Sequence, residues 1–296
     1  QLANASGATI SGDVEVQRFI PAGTNNLRAF RFLSTAVDSD GTIKDDWQEG
    51  VNNTGLNFPS DNENPNSGFG THITGDVNGD DGFDATGSGQ PSLLVFDNQT
   101  QTWGSIVNTN TMATALKAGN AYNLFVRGDR GVDLSLSSAN QTPTNTVLRS
   151  TGTLATGSLT TDGTQLPVLA DDANEFSLIG NPYQAIVDIK QVLNATNSNN
   201  LNINHYWVWD PNKGTNQGGY VTVQLPSGDP IGTSDANQFI QPGQSFFVQN
   251  SSTAGTNDLT FTESAKDVTQ TPTQVFSTNN QTSINLLLYK DQALNN

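Results

Sequence analysis

The stretch His205-Tyr-Trp-Val-Trp-Asp210 alternates without a break: His205, Trp207 and Trp209 share one side of an extended chain, Tyr206 and Val208 the other. Period two is the signature of a β-strand, because successive side chains point to opposite faces. The pattern recurs in both directions from here. Ile10, Val14 and Val16 oppose Ser11, Asp13, Glu15 and Gln17, and similar alternation runs through residues 27–37, 93–97, 122–127, 147–154, 176–179, 220–225, 246–249 and 259–262. Turn clusters separate these segments, among them Pro21-Ala-Gly-Thr-Asn-Asn26, Asp61-Asn-Glu-Asn-Pro-Asn-Ser67, Asp210-Pro-Asn-Lys-Gly214 and Pro226-Ser-Gly-Asp-Pro230. Their Gly, Asn and Pro supply positive or fixed φ angles. Helical periodicity is confined to residues 185–194, where Ile186, Ile189 and Leu193 fall three and four apart, and more weakly to 112–117 before Gly119.

Many short strands with almost no helix between them predict an all-β fold, an antiparallel β-sandwich of jelly-roll type. The length suits one large sandwich or two consecutive units, 1–160 and 161–282, parted in the polar stretch 156–164, with a separate apolar C-terminal strand in 283–296.

Composition narrows the chemistry. The 296 residues include 28 Gly, 12 Pro and no Cys, and only 14% are charged, with 28 acidic against 12 basic side chains for a net charge of −16. An ordinary soluble domain carries about 25% charged residues, so this surface is largely neutral Asn, Thr, Ser, Gln and Gly under a thin acidic coat. A charge of −16 opposes binding to nucleic-acid phosphates. No apolar run approaches the roughly 20 residues of a membrane helix. Without Cys there are no disulfides, thiolate nucleophiles or zinc–cysteine sites. A Ser-His-Asp triad would have to use His72 or His205, and neither a Gly-x-Ser-x-Gly elbow nor a His-Glu-x-x-His helix is present.

Two patterns remain as candidate ligand sites. Oxygen-bearing side chains recur at alternate positions of Asp76-Val-Asn-Gly-Asp-Asp-Gly-Phe-Asp84. Such a loop suits Ca²⁺, which takes about six to eight oxygen ligands, and makes Asp76, Asn78, Asp80 and Asp84 the candidate calcium ligands. Asp81 stands where an EF-hand has Gly and Gly87 where it has Glu, so the stretch also reads as a solvated acidic turn. The second pattern is aromatic. Trp47, Trp103, Trp207, Trp209 and Tyr220 are rings of the kind sugar-binding modules expose, and Trp207 with Trp209 on one strand face is either a glycan platform or sandwich core.

Several segments occur in a telling order: Gly70-Thr-His-Ile-Thr-Gly75, Gly82-Phe-Asp84 followed by Pro91-Ser-Leu-Leu-Val-Phe96, Tyr122-Asn-Leu-Phe-Val-Arg-Gly-Asp-Arg130, Leu148-Arg-Ser-Thr-Gly-Thr-Leu154, Leu178-Ile-Gly-Asn-Pro-Tyr183, Tyr206-Trp-Val-Trp-Asp-Pro211 and Ile240-Gln-Pro-Gly-Gln-Ser-Phe-Phe-Val-Gln249. Together they resemble the β-rich ectodomain of large Bacteroidota surface and secreted proteins exported by the type IX secretion system. The resemblance spans residues 14–266 and implies an extracellular or cell-surface location and an adhesive or structural role, with no catalytic residues to carry over. Proteins of that group continue into a C-terminal sorting domain, so the resemblance leads one to expect either a longer parent chain or a short relative used as a subunit.

The strand Ile284-Asn-Leu-Leu-Leu-Tyr289 follows a polar span, 267–282. Such a strand completes its own sheet or one in a neighbour, where its main chain hydrogen-bonds and alternate side chains fill pockets. Ile284, Leu286, Leu287, Leu288 and Tyr289 are therefore candidate subunit-interface residues. The expectation is a non-enzymatic extracellular structural or adhesive subunit whose partners are copies of itself, assembling into filaments through this strand. The alternative is a carbohydrate-binding or enzyme-appended module whose partners are surface glycans.

Overall fold

The computed structural model describes residues 1–22, 28–136, 142–214, 218–252 and 255–271. The fold is all-β. Numbered along the chain, β2 (Ala29–Leu33), β6 (Tyr122–Val126), β4 (Leu93–Asp97) and β5 (Thr102–Ser105) form a four-stranded sheet in that order. A second has the order β13 (Gly219–Gln224), β12 (His205–Asp210), β15 (Ser245–Gln249), β9 (Phe176–Gly180). Flanking them are β1 (Asp13–Ile20), β7 (Thr146–Leu154) and β3 (Val37–Ser39), then β11 (Ser198–Asn199), β16 (Asp258–Phe261) and β8 (Leu159–Thr160), and the pair β10 (Val187–Asp188) and β14 (Phe239–Ile240). All these pairings are antiparallel.

Alternation along the strands sets the layers. In the first large sheet Leu33, Leu93, Tyr122, Leu124 and Val126 join Ile20, Leu148, Ile43 and Trp47 in one core. In the second, Tyr206, Val208, Val221, Val223, Phe246 and Val248 join Leu259, Phe261, Val187 and Ile240 in another. The opposite faces of the two sheets meet each other: Phe32 and Phe96 come from the first, and Leu178, Phe176, Phe247, Trp207 and Trp209 from the second. The order through the molecule is thus core, sheet, aromatic seam, sheet, core. Leu159 of β8 packs with the second core.

Backbone bonds hold the halves in register. Ser34 N–H donates to the Gly243 carbonyl (3.0 Å), Gly180 N–H to that of Gly119 (2.8 Å), and Leu33 bridges Gln244. Gly180 is required at its crossing, since a Cβ there would lie 2.0 Å from Ser34 Oγ and 2.7 Å from the Asn120 carbonyl oxygen. Side-chain amides do the rest. β9 is an edge strand, and its outward backbone groups meet the turn that joins β4 to β5. Gln101 donates to the Phe176 carbonyl (2.7 Å) and accepts from Phe176 N–H (3.1 Å), while Asn98 accepts from Leu178 N–H (2.8 Å). Two amides therefore satisfy donors and acceptors that an edge otherwise exposes.

Of the predicted helices, residues 185–194 contain α2 (Ile189–Val192), whereas 112–117 holds only one 3₁₀ turn, Met112–Thr114. A further helix, α1 (Ile43–Trp47), is too short to show periodicity. Its sequence signal is a capping box, with Thr42 accepting from Asp45 N–H and the Asp45 carboxylate accepting from Thr42 N–H. The C-terminal strand with Ile284, Leu286, Leu287, Leu288 and Tyr289 lies outside the described residues.

Helix α1 turns Asp46 inward, where its carboxylate accepts from Ser39 Oγ (2.6 Å) and Thr151 N–H (3.2 Å). Burial pushes the Asp46 carboxyl up to about 6, against the pull of those hydrogen bonds. A raised native pKa means that the folded state binds the proton more tightly, so this group's contribution to stability falls as pH rises from about 4 to 6. Asp46→Asn removes that decline. The melting temperature of the variant minus that of the parent is expected to rise across this window in thermal melts, and a constant difference would refute the assignment.

Candidate functional site

The aromatic seam is open along one side. Phe176 and Phe247 line a groove of about 300 Å³ with Phe96, Trp103, Trp207 and Tyr220, and Gln101 is its polar member. Alternation along β12 brings Trp207 here: Tyr206 and Val208 are consumed by the second core, so Trp207 and Trp209 turn to the seam, both half-buried. β15 carries Phe247 to the middle, with ring centroids 5.1 Å from Phe96, 5.6 Å from Phe32 and 6.3 Å from Trp103. Phe176 stands edge-on to Trp207 at 5.0 Å. These spacings are those of favourable edge-to-face aromatic pairs. At the mouth, Trp103 is 37% and Tyr220 51% exposed.

Trp209 sits one step deeper, 5.6 Å from Phe32 and 5.1 Å from Tyr220. Gly218 is pressed against its indole: a Cβ there would come within 2.3 Å of Nε1, and the backbone φ is +88°. Of the five rings singled out in the sequence, Trp103, Trp207, Trp209 and Tyr220 converge on this seam. Trp47 is buried in the first core, edge-on to Tyr122 at 5.3 Å. Phe96, Phe176 and Phe247 were hidden in the sequence among ordinary strand phenylalanines. The signal that could have found them is their placement on the faces opposite Val95, Ser177 and Val248.

The acidic loop divides. Asp76 Oδ1 accepts from Asn78 N–H (2.7 Å) and Asp80 N–H (3.1 Å), and these backbone bonds hold the Asp76 carboxyl below its ordinary value. Asp76, Asn78 and Asp80 share that solvent-side turn, and Asp84 does not join them. Asp84 is fully buried and accepts five hydrogen bonds, from Arg130 Nη1 (3.0 Å) and Nη2 (2.8 Å), Asn53 N–H (2.9 Å), Ile73 N–H (3.0 Å) and Gln48 Nε2 (3.2 Å). The reason is chemical: a planar guanidinium offers a carboxylate two parallel donors. Among the described residues, no group of three or more His, Asp or Glu side chains is placed to hold a metal ion.

His72 completes this buried hub. Its Nδ1 is 3.3 Å from Asp84 Oδ1, and its Nε2 is 3.0 Å from the Arg130 carbonyl oxygen. The ring is thus enclosed in the fold, with Nε2 bonded to the backbone and Nδ1 turned towards the carboxylate. His205 heads β12 beside the groove, its ring 6.4 Å from that of Trp207. Arg130 also donates from Nε to the Glu63 carbonyl (2.9 Å). Arg130 is fully buried, and Arg127 lies 4.8 Å over the Phe125 ring with its guanidinium pulled down to about 10 by burial.

The fold and the groove define a sandwich-type β-protein with an aromatic cleft between back-to-back sheets. The chain belongs to the family described as "Domain of unknown function (DUF8693)", whose profile matches residues 88–292. All the groove residues lie within that span, as does Arg130, while His72 and Asp84 precede it. No curated protein and no solved structure matches the chain.

Burial works to raise the Asp84 carboxyl, yet His72 and Arg130 overcome it and hold it well below the usual carboxylate range. Such a group contributes stability that is present above the unfolded pKa of about 3.9 and is lost as pH falls below it. Arg130→Met leaves Asp84 buried and uncompensated, and is expected to cost about 3–5 kcal/mol at neutral pH. The loss should shrink as pH falls towards 4, because burial raises the stranded carboxyl once Arg130 is gone and it takes up a proton. Urea denaturation at the two pH values reads both, and an equal loss at each would exclude the charge-pair role.

Proposed function

We propose that this protein is a non-enzymatic glycan-binding module that acts outside the cell in adhesion, with the aromatic groove as its binding site. The observation that carries this reading is the set of rings from both sheets around an open, nearly apolar cleft. A cleft of about 300 Å³ lies at the small end of ligand-binding sites, which are lined mainly by apolar and aromatic side chains with a few polar groups. Aromatic faces carry negative charge density and attract the polarised C–H face of a pyranose ring, while the sugar hydroxyls stay in water or reach a polar rim. Exposed apolar surface on a soluble protein commonly marks an interaction site. The resemblance to Bacteroidota ectodomains supports an extracellular setting, where glycan binding serves attachment.

A second reading is self-assembly through the apolar segment 284–289, which falls within the span that the family profile matches. Deleting residues 283–296 is expected to convert assemblies of the native protein into monomers in light scattering, and unchanged assemblies would remove this reading.

For the groove, Trp207→Ala and Trp103→Ala are each expected to weaken binding to a soluble oligosaccharide by about tenfold, equivalent to roughly 1.4 kcal/mol. The half-exposed Trp103 should be removable with little change in melting temperature. Calorimetric titration against cellohexaose, with far-UV circular dichroism as the fold control, provides the measurement. Full affinity in both folded variants would sink the glycan reading.

A further inference from the structure

We infer that the groove takes neutral glycans and rejects those bearing carboxylate or sulfate groups; this rests on the glycan reading above and specifies its substrate class. Recognition of a sugar acid calls for a cation, most often a guanidinium that pairs both oxygens. Among the described residues the groove lining contains none: its members are aromatic, apart from Gln101. Gln101 has no spare donor of the required kind, because its Nε2 donates to the Asn98 carbonyl (2.7 Å) and the Phe176 carbonyl (2.7 Å).

The chain's arginines are committed elsewhere. Arg31, Arg127 and Arg130 are held inside the fold, Arg18 donates to the Pro242 carbonyl and Arg28 to that of Leu136, and Arg149 pairs with Glu49 and Glu15. An anionic sugar entering the groove would exchange water for aromatic rings without a counter-charge, and a buried unpaired charge is costly. The field of the whole protein acts in the same direction, with a net charge of −16. A neutral pyranose meets neither penalty.

The two contributions separate with salt. Long-range repulsion is screened within about 10 Å at 0.1 M ionic strength, whereas the lack of a cation in the groove is unaffected. The experiment titrates the protein with cellohexaose and with hexagalacturonate at pH 7.5, at low and at high salt, and follows tryptophan fluorescence and heat of binding. Cellohexaose is expected to bind equally at both salt concentrations, with hexagalacturonate at least about tenfold weaker at both, a gap of roughly 1.4 kcal/mol. Tyr220→Ala, at the exposed mouth, should weaken cellohexaose binding while the protein stays folded. Hexagalacturonate binding as tightly as cellohexaose, at either salt concentration, would overturn the neutral preference and leave the glycan reading standing. Binding of neither sugar would instead overturn the glycan reading itself.

Discussion

The bidentate ion pair between Asp84 and Arg130, with His72 closed against both, is the constraint on which the first half of the molecule depends. A carboxylate with no water around it persists only if its lone pairs are met, and here five donors meet them. Those donors come from three separate stretches of loop, around residues 48–53, 73 and 130, and converge on a fourth at residue 84. Loops carry few apolar contacts of their own, so a charged hub does for them what a core does for strands. The hub also sits at a strategic place in the chain. Asp84 lies ahead of β4 and Arg130 lies just beyond β6, the two central strands of the first large sheet. Fixing these loops fixes the sheet that offers Phe96 and Phe32 to the seam.

A second device couples that sheet to its neighbour. Two sheets packed face to face through aromatic rings could slide, because ring contacts have little directionality. The turn from β4 to β5 supplies it. Asn98 and Gln101 behave as an extra strand against the edge of β9, matching its backbone donors and acceptors at alternate residues, Phe176 and Leu178. Gln101 is held at φ +56°, a left-handed conformation that is uncommon for a side chain of this kind, and its amide bonds offset that strain. One residue therefore closes an edge, sets the register between halves and forms the polar wall of the groove.

Period two was legible because it is a local property. The alternation in 205–210 and 122–127 needs no knowledge of partners, and the all-β sandwich follows from counting such segments. What each face packs against is non-local. Trp207 and Trp209 were equally consistent with core and with a platform, and they occupy a half-buried seam because the first large sheet, which lies far earlier in the chain, brings Phe32 and Phe96 over them. Asp84 looked like one more oxygen in an acidic loop, since nothing near it announces Arg130, 46 residues away. Helix α1 hid behind its shortness, although Thr42 and Asp45 spelled its start.

The groove's openness follows from the same economy of charge that marks the sequence. A protein with few ions on its surface cannot protect an exposed apolar cleft with a charged rim, and must hold it rigid instead. Here rigidity comes from both sides: the second core grips Tyr206 and Val208 behind Trp207, and the seam packs Phe247 among Phe32, Phe96 and Phe176. Rings fixed in this way lose little side-chain entropy when a ligand arrives, so more of the stacking energy remains as affinity. Collapse of the cleft would need Trp103 or Tyr220 to swing across it, and Trp103 is tied by its packing on Phe96 at 5.2 Å and Tyr220 by Trp209 at 5.1 Å. The exposed rings are thus braced in place, as the proposed binding role requires.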